Sequence, residues 1–132
     1  MVDFNASADL GDIDWWLEMA VRRERGERMT REDLLALHTR MTEKARQLMS
    51  VKNADYGANK NPFRNFDRHG LYGILVRISD KLARLETFTE RGELSVKDET
   101  VQDTLMDLIN YAVLFAGYVE HTKETGNVNG KV

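Results

Sequence analysis

The chain has 132 residues, enough for one domain and too few for two of ordinary size. Hydrophobic residues make up 42% and charged residues 31%, which excludes a disordered chain, and no uncharged apolar run approaches the ~20 residues of a membrane span. Cysteine is absent, removing disulfide scaffolds, thiol catalysis and cysteine-held zinc and suiting a reducing cytoplasm, while a net charge of −3 argues against bulk electrostatic binding of nucleic acid.

Helical periodicity recurs in four segments, and none alternates with the period of a strand, so the chain reads as a single all-α domain over 1–132. The acidic start, Met1 to Asp14, does not read as a signal peptide, and 1–29 reads as an N-terminal extension. Within it a helix is predicted from Ile13 to about Arg25, stopping at Gly26. Its Trp15 and Trp16 are expected to bury against the body or against another subunit, and a homo-oligomer, dimer or tetramer, is expected. Thr30 is a predicted N-cap with Asp33 supporting the first turn. The helix that follows carries Leu34, Leu37, Met41, Ala45 and Leu48 as an amphipathic stripe. His38 lies among these apolar residues and reads as a core histidine; Glu43 falls on the polar face.

Periodicity stops from Asn53 to Gly73. This stretch holds Asn53, Asn59, Asn61 and Asn65, three glycines, the only proline (Pro62) and the aromatics Tyr56, Phe63, Phe66 and Tyr72. A linker would be poor in aromatics, so the stretch reads as a long ordered loop between the second and third helices, packed on something. Phe63 and Phe66 either plug the core beneath it or offer stacking surfaces to a base, whose edges the asparagine amides suit.

The third helix is predicted from about Leu71 to Thr89, with Ile74, Ile78, Leu82 and Leu85 in one sector and Arg77, Asp80, Lys81, Arg84 and Arg91 in another. Gly92 ends it. Ser95, with Asp98 and Glu99 behind it, is the expected N-cap of a fourth helix running to about His121, and 122–132 reads as a fraying tail. With a fifth short helix allowed for, the expected architecture is a four- to five-helix bundle.

Between Val101 and Val119 the only charged residues are Asp103 and Asp107, at i and i+4, with Glu99 one turn earlier and Asn110 in the same sector. A helix otherwise so apolar is expected to be central and buried, where unpaired carboxylates would cost several kcal/mol or take up protons. Two arrangements offset that cost. Lys81 and Arg84 can pair with the aspartates across a helix interface, or a divalent cation can sit on them, since Mg²⁺ and Mn²⁺ take hard oxygen ligands. The mixed stripe on the third helix has the same two readings. It is either a solvated face with Asp80 paired to Arg84, or a phosphate clamp in which Arg77, Lys81 and Arg84 meet phosphate oxygens while Asp80 faces a metal.

The ordered set NADYG (Asn53–Gly57), NF (Asn65–Phe66), RISDKLARL (Arg77–Leu85) and VKDETVQDTLMDLINYA (Val96–Ala112) resembles a phage-associated nucleotide-modification family, over roughly Lys52 to Tyr118. That family's helical pattern is in turn similar to the all-α nucleoside triphosphate pyrophosphohydrolases of the MazG type, which bind Mg²⁺ through paired acidic motifs. Here the first motif's position falls on Arg77 and Asp80, one acid replaced by a base, and the second on Thr104 to Asp107, with Asp103 adjacent. The resemblance implies hydrolysis of a (deoxy)nucleoside triphosphate to monophosphate and pyrophosphate, with Mg²⁺ or Mn²⁺ held by Asp80, Glu99, Asp103 and Asp107. It also implies catalytic roles for Asp80, Lys81, Asp103 and Asp107. Substrate contacts are expected from Lys52, Asp55, Tyr56, Asn65, Phe66, Arg77, Lys81, Arg84, Asn110 and Tyr111. Similarity to the MazZ type, which serves phages that replace adenine with 2-aminoadenine, makes dGTP the expected substrate. The competing readings are a helical interaction module of a phage without catalysis, and another step of modified-nucleotide synthesis.

Overall fold

The computed structural model describes residues 10–55, 61–94 and 100–125. They form four α-helices, α1 (Leu10–Glu24), α2 (Arg31–Asp55), α3 (Leu71–Arg91) and α4 (Val101–Thr125), with no strand among the described residues. The all-α class is as the periodicity predicts. None of these helices is long and apolar enough to cross a membrane.

The near-absence of charge over Val101–Val119 makes α4 the central element, packed against both α3 and α2. Thr104 and Tyr118 are fully buried on it, and Met106, Asn110 and Thr122 nearly so. Ile74 of α3 and Ala45 of α2 close the same core. Leu82, predicted to share Ile74's buried sector, is instead exposed. Each four-residue step advances about 40° beyond a full turn, so two steps carry Leu82 roughly 80° away from Ile74. The α2 stripe is likewise buried only in part: Leu34 is 57% exposed, at the end of the helix tied to α1 rather than to the bundle. His38 is also exposed, against its expected core position, because its place in the apolar stripe lies in that same outer half.

Local chemistry sets the helix ends. Thr30 and Asp33 form a reciprocal capping box, the Thr30 N–H donating to Asp33 Oδ2 (2.8 Å) and the Asp33 N–H to Thr30 Oγ1 (3.1 Å). Gly92 ends α3 in the left-handed conformation (φ 76°), which lets its N–H reach the Phe88 carbonyl. Two sequence expectations are corrected. The N-cap of α4 is Thr100, not Ser95, which lies outside the described residues; Thr100 and Asp103 repeat the capping box, each N–H reaching the other's side-chain oxygen at 3.0 Å. The tail also starts later than expected, since α4 continues to Thr125 and Thr122 packs inward.

The segment between α2 and α3 is shorter than the predicted Asn53–Gly73, because α2 runs on to Asp55 and α3 starts at Leu71; over 61–70 it is an ordered run of turns, as its aromatic content implies. Phe63 packs on α4, its ring 5.5 Å from that of Tyr118 and 5.0 Å from that of His121. Gly117 permits this approach, because a Cβ there would stand 2.8 Å from the Phe63 ring.

A fork joins α1 to α2: Arg22 donates from both terminal nitrogens to the Asp33 carboxylate at 2.7 and 2.8 Å. Farther along, the Arg40 guanidinium lies 5.4 Å from the Trp15 ring, and Trp15 is buried as expected. Arg22, and after it the Thr30 N–H, hold the Asp33 carboxyl well below the usual carboxylate range. A depressed folded-state value means the stabilisation is in place above the unfolded value, about 3.9, and disappears only as pH falls through the folded one. The wild-type α1 should therefore stay docked down to about pH 4 and detach well below it. Asp33→Asn should loosen it at neutral pH and lose that acid dependence. Both tryptophans sit on α1, so their fluorescence reads the docking directly. Superimposable acid titrations for the two proteins would refute the fork's role.

Candidate functional site

A cavity of about 510 Å³ opens between the last turns of α2, the turn segment, the first half of α3 and the middle of α4. Lys52 and Met49 enter it from α2; Pro62, Asn65, Phe66 and His69 from the turns; Tyr72, Gly73, Val76 and Arg77 from α3; and Asp107, Asn110, Tyr111 and Leu114 from α4. Aromatic rings, two carboxamides, two cations and one carboxylate thus share one concave surface of ligand-binding size.

Helical spacing explains the contributions of α3 and α4. Asp107, Asn110, Tyr111 and Leu114 follow three- and four-residue steps along one side of α4, and Tyr72, Gly73, Val76 and Arg77 do the same on α3. Asp107 stands between two ammonium groups, with Lys81 Nζ 3.0 Å from one oxygen and Lys52 Nζ 3.5 Å from the other. The Lys81 and Asp107 side chains are mostly covered, 13% and 19% exposed, so theirs is the α3–α4 ion pair that one sequence reading anticipates. Asn110 is buried at the back of the cavity.

Of the residues expected to contact substrate, Lys52, Asn65, Phe66, Arg77, Asn110 and Tyr111 converge here, together with Asp107. Lys81 stands behind the wall as the partner of Asp107. The other expected site residues are placed differently. Asp80 is 61% exposed and pairs with Arg84 at 3.7 Å along α3, away from the cavity lining. Asp103 is taken up in the capping box of α4 as the partner of Thr100. Tyr56, Glu99 and the side chain of Asp55 lie outside the described residues. Phe63 plugs against α4, as one reading of the loop aromatics has it, whereas Phe66 lines the cavity.

Among the described residues no three acidic or histidine side chains come together as a metal cage. Asp107 is the one described carboxylate on the wall. Among the described residues this lining would give a divalent cation one carboxylate, whose two oxygens also face Lys81 and Lys52, so a cation there would need further oxygen ligands from a bound molecule.

Sequence reasoning missed Met49, Pro62, His69, Tyr72, Gly73, Val76 and Leu114. Periodicity carries a signal for some: Met49 is four residues beyond the buried Ala45, and Leu114 four beyond Asn110. Pro62 and His69 lie in turns, where no period exists to follow.

Residues 52–116 match the family model described as nucleotide modification associated domain 1. That span holds every cavity-lining residue except Met49 and excludes α1. No curated protein and no solved structure gave a significant match to the chain.

Proposed function

We propose that the chain binds a deoxynucleoside triphosphate in this cavity and hydrolyses it to the monophosphate and pyrophosphate with Mg²⁺ or Mn²⁺, as a MazG-like enzyme of nucleotide modification. The observation that carries the reading is the mixture of chemistry that shares one cavity lining. Lys52 and Arg77 bring cations to it, and Phe66, Tyr111, Asn65 and Asn110 bring aromatic faces and amides. A nucleotide needs both kinds of partner, cations for its phosphates and flat faces with donors and acceptors for its base. The family match over the cavity-lining residues supports the nucleotide as ligand.

In this reading the Arg77 fork and the Lys52 ammonium receive the phosphates and neutralise charge as pyrophosphate departs. Asp107 faces the phosphate end as the carboxylate that shares the cation. Mg²⁺ or Mn²⁺, when bound, supplies further charge neutralisation and an acidified water. Phe66 and Tyr111 stack on the base, and Asn65 and Asn110 bond its edge. The guanine preference, hence dGTP, rests on the likeness to the MazZ type.

A panel of ribo- and deoxynucleoside triphosphates, incubated with and without Mg²⁺ or Mn²⁺ and resolved by anion exchange, tests the proposal. Monophosphate plus pyrophosphate, fastest from dGTP and dependent on the cation, is the expected result. Diphosphate plus phosphate would overturn the reaction type. Absence of turnover on every nucleotide would favour the interaction-module reading instead.

A further inference from the structure

The turn segment that forms one wall of the cavity has no ladder of its own to fix it. Among the described residues, the Phe63 ring and one carboxylate fasten it to α4. Asp67 Oδ2 accepts from the Asn61 amide at 2.8 Å, within the segment. Its Oδ1 accepts from the Tyr118 hydroxyl and faces His121 Nε2, both at 3.2 Å, on the central helix. Asn61 in turn accepts the Phe63 N–H through Oδ1 (3.0 Å), and the Phe63 ring covers the cluster by lying on Tyr118 and His121. Burial first, and then the nearby Asp67 charge, push the Tyr118 phenol up, so it remains a donor.

We propose that Asp67 is a positioning residue: its clasp on Tyr118 and His121 sets where Asn65 and Phe66 stand in the cavity, and so governs affinity for the base end of the ligand. The part concerning ligand rests on the nucleotide reading above. Asp67 itself does not line the cavity; its neighbours Asn65, Phe66 and His69 do. An ionised carboxylate suits the position because it only accepts, and Asn61, Tyr118 and a His121 carrying its Nε2 proton all arrive as donors. An asparagine at 67 keeps one acceptor oxygen instead of two, so it holds Asn61 only if Tyr118 turns its hydroxyl to accept and His121 changes tautomer, and it holds the Tyr118–His121 pair only by setting its N–H₂ against that of Asn61.

Hydrogen exchange and nucleotide binding together test the clasp. The amides of Phe66, Asp67, His69 and Gly70 are bonded inside the turns, so their exchange reports on the order of the segment. Asp67→Asn should speed exchange across 61–70 by about tenfold, leave α3 and the Met106 region of α4 unchanged, and raise KM for the triphosphate by about tenfold with kcat within about twofold. His121→Gln, which keeps a donor, should remain near wild type, while Tyr118→Phe should shift both readouts in the same direction by less. The Tyr118→Phe protein also decides the matter if the Asp67 variant fails to fold. Unchanged exchange in 61–70, or faster exchange with unchanged KM, would overturn the proposal. If the wild type neither binds nor turns over nucleotide, the functional reading fails and the ligand part with it, while the exchange data still decide whether Asp67 holds the wall.

Discussion

Replacing Lys52 and Arg77 together with alanine should weaken binding of a nucleoside triphosphate by roughly ten- to a hundredfold and leave the melting temperature unchanged. Both side chains line the cavity, and both are exposed, Lys52 by 54%. Their removal therefore strands no buried group, and Asp107 keeps the closer ammonium of Lys81. In the complex, each would make charge-assisted bonds to phosphate oxygens, worth about 1.5–3 kcal/mol apiece before solvent screening reduces them. The loss should be specific to the charged end of the ligand. Calorimetric titration ought to show triphosphate affinity falling steeply while any affinity for the parent nucleoside stays constant, and the wild-type triphosphate affinity should decline with added salt. Equal weakening for nucleoside and triphosphate would mean that these cations act through the shape of the pocket, and no weakening would remove the phosphate end from it.

Much of the fold is written in local signals that a single sequence carries. The Thr30–Asp33 box and the Gly92 stop are built from neighbouring residues and depend on nothing distant. The central place of α4 follows from a long stretch with two charges, although its Ala112, Val113 and Ala116 side is exposed rather than buried as that stretch suggests. Thr100 and Asp103 obey the same capping rule as Thr30 and Asp33, yet Ser95 with two acids behind it presents a similar pattern a few residues earlier. Asp103 illustrates why candidate ligands are harder to read than caps. An aspartate at i−4 from Asp107 and at i+3 from a threonine satisfies both a metal stripe and a capping box, and spacing alone does not choose between them. The cavity was legible to the extent that its residues share a helix side. Asp107, Asn110 and Tyr111 belong together by turn geometry alone. Which helix faces them is a tertiary matter. The partnership of Asp67 with Tyr118 and His121 joins residues some fifty positions apart, so no local spacing reveals it.

The largest loss of stability is expected from Asp107→Ala. This change takes from the largely covered Lys81 ammonium, between α3 and α4, the carboxylate that stands 3.0 Å from it. Removing one partner of a fully buried pair costs about 3–5 kcal/mol; with side chains 13% and 19% exposed, water offsets part of that, and about 2 kcal/mol is the reasonable scale. For a chain of this length the melting temperature should fall by about 6–10 °C. The double variant Asp107→Leu with Lys81→Met replaces the ion pair by apolar groups of similar volume, and substitutions of that kind are often neutral or stabilising. It should regain most of the lost melting temperature. Turnover separates the two roles of the pair. If Asp107 shares the cation and lines the reacting end of the cavity, the double variant will be folded, stable and inactive at saturating Mn²⁺. A stable double variant that still releases pyrophosphate would leave Asp107 with a purely structural role, as the acid that lets a lysine be buried between two helices. An unchanged melting temperature in Asp107→Ala would instead mean that Lys81 reaches water once its partner is removed, and that apolar packing alone holds α3 on α4.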